Sequence, residues 1–159
     1  MIRHLYRYLL QLSTIRLFLL LFFFIYPTLI LVGIILKYFI GLSPIITNNE
    51  SDLLAQIGQF FSAVIIAPVI ETVIFQKLIL DNSKPRIKNN IVCVALGAVV
   101  FGLAHINGLF RIVLATFVGF YLGLFYTIAR QKKYNAFWLT CLMHALWNLI
   151  TISLRYHLL

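Results

Sequence analysis

Apolar runs of bilayer length recur five times in these 159 residues, approximately Leu17 to Leu36, Leu53 to Leu80, Ile91 to Leu109, Ile112 to Ala129 and Phe137 to Leu154. A helix crosses the ~30 Å hydrocarbon core with about 17–25 apolar residues. It also satisfies its own backbone hydrogen bonds there, where no water is available. Hydrophobic residues make up 62% of the chain and the mean hydropathy is +0.99, so there is too little polar surface to coat a water-soluble globule. The expected fold is all-α, a polytopic integral membrane bundle of about five transmembrane helices. A single membrane-embedded domain over residues 1–159 accounts for the length.

The formal net charge of +9 would suit nucleic acid in a soluble protein, but here the basic residues mark the ends of apolar runs. Arg3, Arg7 and Arg16 precede the first run; Lys77, Lys84, Arg86 and Lys88 follow the second; Arg130, Lys132 and Lys133 follow the fourth. Lys37, Arg111 and Arg155 alone mark the opposite ends, ten against three. The positive-inside rule then puts the N-terminus in the cytoplasm and the C-terminus outside the plasma membrane. The bilayer is the expected partner, and nucleic acid is not. Residues 1–16 alternate Arg, His and Tyr with Leu, which predicts an amphipathic helix on the cytoplasmic face. The first apolar run exceeds a signal-peptide core and lacks an A-x-A exit, which predicts a retained anchor.

The second run is long and starts in polar sequence, so its first turns belong at the interface. Pro27 after Tyr26 predicts a kink in the first span, tolerable where neighbouring helices satisfy the freed carbonyl. The polar stretch Gly41 to Asp52 is expected to be an outer loop. Cys93 and Cys141 show no CxxC spacing or ligand pattern and read as buried thiols. Gly119 with Gly123, and Ala98 with Gly102, form small-residue pairs suited to close helix packing, within one chain or between two.

Against this apolar background four polar side chains stand out: Glu71, His105, His144 and Asn148. Ionisable groups inside a membrane span are costly and mark functional sites by default. Counting ~1.5 Å per residue from the cytoplasmic boundary puts Glu71 ~15 Å and His144 ~14 Å deep, with His105 and Asn148 about one turn farther out. Spans distant in sequence therefore deliver Glu, His, His and Asn to one slab. His144 and Asn148 are four apart and share a helix face, where they could hold one oxygen atom; Phe101 has the same spacing from His105 and lies one turn beneath it. Each histidine alone would suit a hydrogen-bonded packing role. Together the four predict a site.

An acidic motif, then FxxxH, then HxxxN, with GFYLGLFY between the last two, resembles the CAAX protease and bacteriocin-processing family of intramembrane proteases, also called Abi. The likeness covers residues 67–149. It departs at the first motif, usually EExxxR, where this chain has Glu71, Thr72 and Gln76, losing the second glutamate and the arginine together. Net charge is unchanged by that double loss, which leaves room for a neutral Thr72–Gln76 hydrogen bond in place of the ion pair.

The resemblance implies peptide hydrolysis by an activated water, in or near the membrane, on a peptide or protein substrate. Glu71 would be general base, His105 would orient the water, and His144 and Asn148 would donate to the oxyanion, with Thr72, Gln76 and Phe101 in support. Glu71, His105 and His144 also make up a His2Glu zinc set, but HExxH is absent and no second carboxylate would remain as base, so no cofactor is expected. Two other functions compete. A weakened member acting as a bacteriocin-immunity or partner-binding protein would tolerate the eroded motif. A proton-coupled transporter could use Glu and His as a relay, but the chain lacks paired similar halves.

Overall fold

The computed structural model describes residues 2–42, 53–83, 85 and 87–158, so most of the Gly41 to Asp52 stretch, together with Lys84 and Arg86, lies outside the described residues. A short helix α1 (Ile2–Gln11) leads into α2 (Thr14–Tyr38). A single helical rod follows over residues 53–83. It runs α3 (Leu53–Phe61), a π-helical segment π1 (Ser62–Ile66), α4 (Ala67–Glu71), a second π segment π2 (Thr72–Leu78) and α5 (Ile79–Ser83). The bundle is completed by α6 (Asn90–Leu103), α7 (Leu109–Gln131) and α8 (Ala136–Leu158). Among the described residues there is no strand, and four helices are long and apolar enough to cross a membrane. The protein is an integral membrane helical bundle.

The third apolar run differs from its expected length. Its helix ends at Leu103 after 14 residues, a rise of only ~21 Å. The apolar pattern continues through Leu109, but Asn107–Gly108 breaks the helix, and Gly108 takes φ +97°, which L side chains rarely adopt. His105 therefore lies in the turn beyond α6 rather than inside a span.

The core forms around α7, whose buried stripe Ala115, Val118, Leu122, Phe125 and Ala129 follows helical spacing and meets α2, α6, α8 and π2. The small residues work within one chain. A side chain at Gly102 would run into Thr116 and stand 2.8 Å from the Ile112 carbonyl, and one at Gly119 would press on the Phe101 ring at 2.9 Å. The α6–α7 hairpin is close-packed because these positions carry no Cβ.

At the basic end of the bundle, Asp81 of α5 pairs with Arg130 of α7. α1 is docked there rather than free. Leu9 is buried, the Tyr6 hydroxyl accepts from Asn90 Nδ2 at 3.2 Å and Gln131 Nε2 at 2.6 Å, and Lys132 donates to the Leu12 carbonyl. In α2, Pro27 is accommodated within a continuous helix; Thr28 donates to the Phe24 carbonyl at 2.8 Å and pairs with the Tyr121 hydroxyl at 2.7 Å.

Candidate active site

The rod is underwound around one residue. Pro68 has no N–H and its ring clashes with the carbonyl four residues back, which ordinary α geometry cannot absorb. The preceding turn widens instead, and the Ala67 N–H bonds to the Ser62 carbonyl, five residues back. In that register the donor for the Ala63 carbonyl would be Pro68, which has none. Asn148 of α8 supplies it, its Nδ2 donating to Ala63 at 2.7 Å.

Glu71 ends α4 between the two π segments. The rod's buried positions here are Pro68, Thr72, Gln76 and Leu80, a four-residue repeat that suits a widened helix, and Glu71 stands on the edge of that stripe. Its Oε2 lies 3.6 Å from Nε2 of His144, itself only 3% exposed. That separation is too long for a good direct hydrogen bond. Neither Glu71 Oε2 nor His144 Nδ1 has a hydrogen-bond partner.

His105 closes the third side from the α6–α7 turn. Its Nδ1 bonds the Phe101 carbonyl at 2.8 Å, one of the last-turn carbonyls of α6 that would otherwise lack a donor. Because a carbonyl only accepts, Nδ1 carries the proton and Nε2 is left as an acceptor. The Phe101 ring fixes both imidazoles, with centroids 4.7 Å from His105 and 5.9 Å from His144, and is held from behind by Phe75 at 5.2 Å. Besides His144, the charged or titratable groups that act electrostatically on Glu71 are His105 and Arg111, and His105 also acts on His144.

Glu71, His144, His105 and Phe101 thus converge. Asn148 lies one turn along α8 from His144, with one amide hydrogen engaged by the rod. The Thr72–Gln76 hydrogen bond that the spacing allows is not formed, since Thr72 Oγ1 and Gln76 Oε1 are both buried without a hydrogen-bond partner. The α-helical i, i+4 register it relied on is lost in π2. Among the described residues, no three His, Cys, Asp or Glu side chains are grouped to hold a metal ion. Sequence reasoning missed Arg111 as a neighbour of the site, having counted it only as a charge at a helix end.

Removing Asn148 tests its structural part. Asn148→Ala leaves the Ala63 carbonyl unsatisfied and is expected to cost ~1–3 kcal/mol of stability, read by unfolding of the purified protein. Pro68→Ala restores a backbone donor and should recover part of that loss in the double variant. No recovery would show that the clasp is not what Asn148 contributes.

A partly exposed carboxylate and a buried imidazole brought together from different helices define a polytopic membrane protein with a polar cluster inside its bundle. Residues 53–150 match the family of Rce1-like type II CAAX prenyl endopeptidases. That match spans more than half of the chain, and the protein belongs to this family. At the family level it is an intramembrane endopeptidase with a peptide substrate. No curated protein and no solved structure matches the chain.

Proposed function

We propose that this protein hydrolyses peptide bonds at the membrane by a metal-free glutamate mechanism. The observation that carries the reading is the 3.6 Å approach of Glu71 Oε2 to His144 Nε2 across two helices, with no hydrogen-bond partner on Glu71 Oε2 or on His144 Nδ1. A water oxygen between Glu71 and His105 gives its proton to the carboxylate as it attacks the scissile carbonyl. His105 Nε2 orients that water, because its Nδ1–H is already committed to Phe101. His144 Nε2–H donates to the oxygen that gains charge, and Asn148 adds its second amide hydrogen. Glu71 then returns the proton to the leaving amine. The metal-free reading is favoured because, with Glu71 spent as a ligand, no second carboxylate would remain at the site as base.

The basic helix ends support an N-terminus in the cytoplasm and a C-terminus on the other side of the membrane, for which the plasma membrane is the proposed site. With this orientation, the His105 turn is on the outer side.

The test is hydrolysis of a lipidated peptide by purified protein in lipid nanodiscs, with and without a chelator. EDTA is expected to leave the rate within about twofold, because general acid–base chemistry here needs no ion. A loss that zinc restores would overturn the metal-free mechanism.

A further inference from the structure

Arg111 is an anomaly on its own helix. It lies in the first turn of α7, where the helix dipole disfavours a cation, and in an apolar helix where arginine is costly. It is not turned away from the bundle: Arg111, Ala115, Val118 and Leu122 follow the spacing of one helix face, and the last three are buried. Arg111 is therefore the outermost member of α7's inward stripe, exposed because the stripe ends there. Gly102 packed on Ile112 and Thr116 fixes that turn of α7 against the end of α6, which carries His105.

No acidic residue occurs from Asn90 to Gln131. The ion pairs among the described residues use Arg130 with Asp81 and His144 with Glu71, leaving Arg111 in neither. The site thus has a buried floor at His144, a partly exposed base at Glu71 and, at its rim, a guanidinium in neither of these ion pairs. A planar guanidinium fork that forms no ion pair among the described residues matches an incoming carboxylate.

The proposed hydrolase reading, on which this inference rests, says which carboxylate. A CAAX sequence is a C-terminal one, so the chain beyond the cut ends within a few residues in a free carboxylate. An extended peptide advances ~3.3 Å per residue, which places that terminus ~7–10 Å past the reacting carbonyl. We propose that Arg111 receives the substrate's C-terminal carboxylate and restricts the site to chains that end close to the scissile bond.

The experiment uses an S-farnesylated Cys-Val-Ile-Met tetrapeptide as the free acid and as the C-terminal amide. Binding to the full-length protein in phosphatidylcholine nanodiscs and hydrolysis are read separately. The acid is expected to bind about tenfold or more tightly than the amide, the scale of a charge-assisted hydrogen bond. Arg111→Gln should bring the ratio within twofold of one, and Arg111→Lys should keep part of it. Three results would overturn the proposal: acid and amide bound equally or not at all by the unmutated protein, a ratio that survives Arg111→Gln, or a variant that weakens both ligands alike. Acid preference without hydrolysis would support the anion site and sink the peptidase reading instead.

Discussion

Glu71→Gln is expected to lower peptide hydrolysis by about 10²–10⁴-fold, the usual contribution of a positioned general base. Glutamine keeps the shape of the side chain and can still approach His144 Nε2, so membrane insertion and thermal unfolding should stay close to those of the unmutated protein. The measurement pairs turnover in nanodiscs with an unfolding curve on the same preparation. A variant that stays folded yet keeps its turnover removes Glu71 from the chemistry. A biological effect that persists in cells expressing the variant points instead to the immunity or partner-binding role.

The second large effect is structural. Phe101 is 1% exposed and touches Phe75, His105 and His144, while Gly119 is bare so that the ring can lie against α7. Phe101→Ala is expected to cost about 3–5 kcal/mol of stability, through a cavity that close-packed helices cannot fill. Both imidazoles also lose the surface that orients them, so activity should fall even in the fraction that stays folded. Phe101→Leu fills most of the space and should be markedly milder in unfolding while leaving the histidines less well fixed. An alanine variant as stable as the parent would mean that the α6–α7 hairpin is not organised around this ring.

The membrane bundle was legible because its cause is compositional: runs such as Leu17 to Leu36 permit few other structures. The pairing of Glu71 with His144 was legible from depth alone, since helical rise converts sequence position into height. His105 was placed in the right slab but on the wrong element, because hydropathy continues through Ile106 and Leu109 while the break comes from the backbone at Gly108. The signal was the Asn107–Gly108 pair, a turn dipeptide inside an apolar run. The partner of Asn148 was hidden for a different reason. It depends on a missing hydrogen at Pro68 and on the widened turn that follows from it, and no spacing rule on α8 reports a carbonyl on another helix. Arg111 was read as topology because its neighbours in sequence are apolar; its relation to Glu71 exists only after α6 and α7 fold together.

The notch left by Pro68 works as a key. A regular helix could slide along its neighbour by one turn and still make similar apolar contacts, but the rod offers an undonated carbonyl at one height only, and one amide on α8 fits it. Axial slippage is thereby blocked, and Glu71 and His144 stay level whatever the thickness of the surrounding lipid. Thinner or thicker bilayers should then be met by tilting the whole bundle rather than by shearing the acid past the imidazole.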